Sequence, residues 1–282
     1  MKRKTTLSLL AALILGAPSL IAQGVEDYDR IYYSNPEPIE VEDGSFKYEL
    51  KSKNAVAQAD HNKFGLTIQN NSNDFIYYDS KETTFKYSFG DKHPTVKPLY
   101  INPNDSKTKT LLVNGGDQFR QKEFAVEVGG LYRIPMEGTV EEAPEFQLPA
   151  SSNNFTSGNF KVILKKYDAS TREAKAQFEV TYLGDDLAIV DASNLSVRAK
   201  RKKSEEEVVY ANDDTKSKAN ILNKGDKLKF NAVFHIDGRI VDMQFATMHI
   251  IWNGTFVETK AIPIKAETIN FAMDEALTRE KK

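Results

Sequence analysis

The chain has 282 residues, 40% of them hydrophobic and 28% charged, with a formal net charge of -2 at pH 7 and no cysteine. Its length exceeds one ordinary domain and points to two units, each with a core of its own. The near-neutral balance lacks the basic excess that phosphate neutralisation demands, which sets nucleic acid aside as a partner. The missing cysteine excludes disulfides, thiolate metal sites, thiol nucleophiles and lipid-modified cysteine.

Residues 1–22 carry Lys2, Arg3 and Lys4, then an apolar run from Leu7 to Leu15, then small and polar residues up to Ala22. That is the pattern of a secretory signal peptide cleaved before Gln23. The run is shorter than the about 20 apolar residues of a membrane span, and no second run follows, so no transmembrane segment is expected after cleavage. The expected location is periplasmic or extracellular. Residues 23–43 form an acidic arm in which Pro36 and Pro38 oppose helix. Tyr32, Tyr33, Ile39 and Val41 are expected to pack on the first unit.

From residue 44 to 138 the pattern is that of short strands: "SFKYELK", "KFGLTIQ", "DFIYYDS", "TTFKYSF", "PLYIN", "KTLLVN" and "EFAVEVGGLYRIP" alternate apolar with polar residues between Asn, Gly, Asp and Pro. Residues 139–157, with Pro144, Pro149 and a Ser/Asn cluster, read as a linker. A second strand series fills residues 158–266. Asp237-Gly238 and Asn253-Gly254 are predicted hairpin turns, since both dipeptides tolerate positive φ.

The two series resemble each other. Gly44-Ser45-Phe46-Lys47-Tyr48-Glu49-Leu50 matches Gly158-Asn159-Phe160-Lys161-Val162-Ile163-Leu164, and "VEVGGLY" parallels "IIWNGTF" near each end. This duplication predicts one strand order used twice, with Phe46, Tyr48, Leu50, Phe160, Val162 and Leu164 facing inward and Trp252 at the position of Val128. With a polar linker between them, each half is expected to fold alone.

Strings such as "FGLTIQNNSNDFIYYD" and "LNKGDKLKFNAVF", at this strand density, resemble bacterial extracellular immunoglobulin-like modules. The resemblance implies an all-β protein of two tandem immunoglobulin-like β-sandwich domains. It reaches architecture only: the cysteine pair of antibody domains is absent and Trp252 is the single tryptophan. Residues 267–282 change period. Ile269, Met273, Ala276 and Leu277 lie near one face of a predicted C-terminal helix, and Ile269, Met273 and Leu277 are candidate partner-binding residues.

No P-loop, dinucleotide fingerprint or nucleophile elbow occurs, and "VNGGD" and "EVGGLY" read as turn or bulge glycines. His61, His93, His235 and His249 show no metal spacing, although His235 and His249 fall on successive strands. Asp185-Asp186 and Asn212-Asp213-Asp214 match no calcium loop. "RAKRKKSEEE" from Arg198 sets a basic block beside an acidic one and reads as a solvated hairpin. Asn154 and Asn253 open Asn-x-Thr strings that matter only in a glycosylating host. No catalytic residue, metal ligand or cofactor is therefore expected. The leading expectation is an exported binding or scaffold protein with a protein or glycan partner. The alternatives are a subunit or folding helper of an envelope machine, and a hydrolase whose carboxylates converge in an interdomain cleft.

Overall fold

A computed structural model describes residues 30–115 and 118–280. The segment read as a signal peptide, residues 1–22, and residues 23–29 of the arm lie outside the described residues. The first series comprises β1 (Ile31–Tyr32), β2 (Ile39–Asp43), β3 (Phe46–Ala57), β4 (His61–Asn70), β5 (Phe75–Tyr78), β6 (Thr84–Tyr87), β7 (Gly90–Lys92), β8 (Leu99–Ile101), β9 (Ser106–Asn114), β10 (Glu123–Val128) and β11 (Leu131–Ile134). Two short strands follow, β12 (Thr139–Val140) and β13 (Phe146–Leu148). The second series comprises β14 (Asn154–Ser157), β15 (Phe160–Ala169), β16 (Glu173–Tyr182), β17 (Leu187–Asp191), β18 (Ser196–Lys200), β19 (Glu207–Ala211), β20 (Ala219–Leu222), β21 (Lys227–His235), β22 (Met248–Ile251) and β23 (Phe256–Thr259). The chain closes with β24 (Ile262–Pro263), β25 (Glu267–Ala272) and the helix α1 (Glu275–Glu280).

The fold is nearly all β, and every described strand pairing is antiparallel. Strand order repeats between the series. β2-β3-β4-β9 corresponds to β14-β15-β16-β21, β8-β5-β11 to β20-β17-β23, and β7-β6-β10 to β19-β18-β22. The repetition extends to capping: Asp79 and Asp191 begin matching 3-10 turns, and each carboxylate accepts from a backbone N–H two residues on, Lys81 at 3.1 Å and Ser193 at 3.0 Å. Gly44 and Gly158 both take positive φ, 62° and 50°, at the hairpins that open the long sheets.

Each series is completed by the other. β12 and β13 follow the first series but pair with β23 and β22; β24 and β25 follow the second but pair with β11 and β10. The segment expected as a free linker thus supplies edge strands. The expectation of halves with few core contacts across it is corrected, because both cores contain foreign residues. Ile269 and Phe271 of β25 join Phe46, Tyr48, Leu50, Phe64, Phe85 and Phe124 in the first core. Phe146 and Leu148 of β13 join Phe160, Phe178, Phe234, Trp252 and Phe256 in the second. A smaller cluster of Phe75, Ile134, Ile189 and Val257 forms where the series meet.

The predicted inward phase holds for Phe46, Tyr48, Leu50, Phe160 and Val162, all buried. Leu164 is only half-buried because β15 is bulged between Leu164 and Lys166. Tyr33 is buried, and Ile39 and Val41 pack against the first core, as expected of the arm. Asp237-Gly238 and Asn253-Gly254 are not hairpins, since the strands they join lie in different sheets. Asn253-Gly254, with Gly254 at φ 67°, turns the corner between β22 and β23, as Gly129-Gly130 does between β10 and β11. Trp252 and Val128 immediately precede these corners.

The C-terminal reading is corrected in its bounds. A short helix is present, but only over Glu275–Glu280, and Ile269 lies on strand β25. Apolar spacing of four suggested a helix; Phe271 between Ile269 and Met273 makes the same segment alternate by two, and the open edge of β10 selects the strand. The Asp274 carboxylate accepts from Leu277 N at 3.0 Å, and Thr278 Oγ1 accepts from Tyr32 N at 3.2 Å, docking α1 on the arm.

Candidate functional site

In the sheet β24-β11-β5-β8, Tyr132 stands opposite Tyr77 and Pro263, and Tyr77 stands opposite Tyr100. Period-two alternation puts these cross-strand partners on one face. The ring centroids of Tyr77 and Tyr100 are 4.9 Å apart and those of Tyr77 and Tyr132 are 5.8 Å apart, with tilted planes. All three rings are half-buried. The matching row in the second series is aliphatic: Val140, Val257, Ile189 and Ile221 occupy the same register. Ile189 and Val257 are closed off in the cluster at the meeting of the series, and Tyr77 and Tyr100 pack against that same cluster while staying half-buried.

The 3-10 turn Ser80–Glu82 sets the electrostatics of this face. Tyr132 Oη donates to Glu82 Oε1 at 2.6 Å. That bond to a carboxylate, with burial and the charge of Asp79, pushes the Tyr132 hydroxyl up to about 12. Burial raises Tyr77, helped by the charges of Asp79 and Glu82. Burial also raises Tyr100, with Asp226 adding to the effect. The turn is clamped from beneath. Asp79 N donates to Gly130 O at 2.8 Å and Thr83 Oγ1 donates to Gly129 O at 3.1 Å. A side chain at Gly130, whose φ is 76°, would bring Cβ to 2.0 Å from Asp79 O. Glycine here lets the β10–β11 corner approach the turn that carries Glu82.

The row meets the second series at Tyr77 and Tyr100, both packed on the cluster that holds Ile189 and Val257, and Tyr100 Oη donates to Asn223 Oδ1 at 3.4 Å. Beyond Asn223 lies an open groove of about 530 Å³ lined by Asp185, Asp186, Lys224 and Lys260. Its carboxylates are paired, Asp185 with Lys224 at 2.5 Å and Asp186 with Lys260 at 3.5 Å. The Lys224 hydrogen bond and charge hold Asp185 below the ordinary carboxylate range. A general acid needs the opposite displacement.

The residues singled out from sequence lie elsewhere. Ile269 is buried in the first core, Met273 is half-buried, and Leu277 is 45% exposed on α1. The sheet ladder and α1 bring them to one flank of the first series without a shared helical face. His235 and His249 sit on strands of different sheets that do not pair. His235 lies 3.1 Å from Glu173 and 3.3 Å from Asp213, while His249 is 3.9 Å from Glu145. Among the described residues no group of three or more His, Asp or Glu is arranged to hold a metal ion. At the basic-acidic hairpin tip, Lys200 pairs with Glu205 and Arg201 with Glu206, all exposed. Sequence reading missed the tyrosine row. Its available signal was the contrast between Tyr77 and Tyr132 and their counterparts Ile189 and Val257 in the duplicated pattern.

No protein-family model matches the chain, and no curated protein matches it. Among solved structures, the Lactobacillus farciminis oxalate decarboxylase in its formate complex aligns at 9% identity and a TM-score of 0.13, over 85% of this chain and 88% of that one. A likeness at that level bears on neither fold nor activity.

Proposed function

We propose that the chain is an exported, non-catalytic binding or scaffold protein of the bacterial envelope, built from two immunoglobulin-like sandwiches and presenting a tyrosine-lined sheet face to a protein partner. The strand order supports the architecture. With β3, β4, β5–β6, β7–β8, β9, β10–β11 and the exchanged β24–β25 taken as A, B, C, C′, E, F and G, the sheets read A-B-E and C′-C-F-G, the immunoglobulin order without strand D. The observation that carries the binding reading is the row of Tyr77, Tyr100 and Tyr132 on a regular sheet face, half-buried where Tyr77 and Tyr100 lean on the cluster between the series. Aromatic rings with a polar tip give large contact area at low entropy cost, and rigid sheets hold them in place.

The test is recovery of partners from native envelope extract by the mature chain and by a Tyr77→Ile/Tyr132→Val variant. That variant copies the aliphatic row of the second series, which this fold already accommodates. The expected result is one stoichiometric protein recovered by the parent and lost by the variant, with both chains melting cooperatively. Identical recovery by the two chains would overturn the reading.

A further inference from the structure

We infer that the outer edge of β9 takes an acidic, extended segment of another protein, which adds to the sheet β2-β3-β4-β9 as a further strand. This surface lies apart from the tyrosine row and does not rest on it.

The edge is long and open. β9 runs for 9 residues and pairs only with β4. At the two ends of this ladder Asn70 N donates to Asp105 O and Gly115 N donates to Asp60 O, both at 2.9 Å, which fixes its alternation. The backbone groups of Lys107, Lys109, Leu111 and Val113 therefore point at β4, and those of Thr108, Thr110 and Leu112 point away from it. Nothing among the described residues bonds to these outward groups; Thr108 and Thr110 are exposed and Leu112 is half-buried.

The second series closes the same edge with its own chain. On β21 the Val233 carbonyl accepts from Asp213 N at 2.8 Å, Val233 N donates to Asn212 Oδ1 at 2.9 Å, and His235 N donates to Asp213 Oδ2 at 3.1 Å. Among the described residues β9 has no such cover. In the immunoglobulin order this is the place of the absent strand D.

Charge selects the occupant. Lys63 stands opposite Leu112, and the stem of Lys53 crosses Gly65, the residue opposite Thr110; a Cβ there would lie 3.0 Å from Lys53 Cγ and 3.3 Å from its Cε. These two lysines share one face of the sheet with Thr108 and Thr110, while Lys107 and Lys109 belong to the other, so alternate side chains of an added strand meet a lysine on either side. Among the described residues none of the four forms an ion pair, whereas Lys47 and Lys51 on β3 are paired with Glu42 and Glu49. Lysines on an open edge suppress pairing between identical edges. Two copies of this basic edge repel each other, which sets a second copy aside, whereas an acidic strand gains the ladder hydrogen bonds and opposite charge together.

The experiment adds an acetylated octapeptide of alternating glutamate and valine to the full mature chain at low salt and reads amide hydrogen exchange by NMR. The outward amides of Thr108, Thr110 and Leu112 should slow by about tenfold or more. The same peptide N-methylated at every residue keeps its charge and loses its donors, and it should protect none of them; nor should the lysine–valine counterpart. Affinity should fall about fivefold in Lys63→Gln/Lys109→Gln. Thr110→Pro removes an outward donor and no charge, a change an edge strand accommodates, so protection should vanish while the chain still melts cooperatively. Equal affinity of the plain and N-methylated acidic peptides would show diffuse attraction to a basic surface and overturn the inference. Protection of the same amides in the chain alone, rising with its concentration, would overturn it in favour of a second copy, and no protection by the acidic peptide would remove the edge as a docking site.

Discussion

Replacing Phe271 with alanine removes a side chain that lies beyond the second series in the sequence but inside the first core. Phe271 is 1% exposed, stacks on Phe124 at 4.6 Å with planes 4° apart, and lies 4.9 Å from Phe64. Truncating a buried phenylalanine costs about 3–5 kcal/mol, and because β25 is an edge strand able to shift inward, a value of about 3 kcal/mol is expected. That is a large share of the about 5–15 kcal/mol that holds an ordinary domain together. Hydrogen exchange read by mass spectrometry reports each series separately. Protection of β4 and β10 should fall by roughly 100-fold, which is what about 3 kcal/mol corresponds to. Loss of protection confined to the second series around Trp252, or a destabilisation below about 1 kcal/mol, would refute the exchange of β25 as a stabilising element.

Residues 44–138 made alone should fail to unfold cooperatively, and a peptide spanning residues 262–273 should restore a melting transition; a cooperative melt without the peptide would show that the half needs no foreign strand. Gly130→Ala forces a side chain into positive φ against Asp79 O, so the melting temperature should drop and the Tyr132–Glu82 contact should be lost; an unchanged melt would contradict the close approach. The folded chain raises Tyr132 from 10.0 to about 12, so it holds that proton longer than the unfolded chain does. The resulting stabilisation is full below a pH of about 10 and is lost as pH climbs through about 12. Alkaline denaturation followed by phenolate absorbance should therefore show a late-ionising tyrosine that Glu82→Gln moves earlier; no movement would remove Glu82 as the cause.

Much of the fold was legible because strand alternation is local. Phe46, Tyr48, Leu50, Phe160 and Val162 could be placed inward from period two alone, and the repeated Gly-x-Phe-Lys strings pointed to one strand order used twice. The exchange was not legible. Alternation in Phe146-Gln147-Leu148 or Ile269-Asn270-Phe271 says that one face is buried but not which sheet edge receives it, and that choice depends on the open flanks of β22 and β10. At the C-terminus an apolar spacing of four, Ile269, Met273 and Leu277, competed with the spacing of two that includes Phe271, and pairing decided between them. The tyrosine row was hidden for a different reason. Tyr77, Tyr100 and Tyr132 are far apart in the chain, and only the register of β8, β5 and β11 makes them neighbours.

The binding reading is tested most directly by photo-crosslinking in the native envelope, with p-benzoylphenylalanine replacing Tyr100 in one chain and Ile221, its counterpart in the aliphatic row, in another. The account predicts one discrete adduct with a second protein from position 100 and none from position 221. Equal adducts from both positions, or none from position 100 in a folded chain, would contradict it.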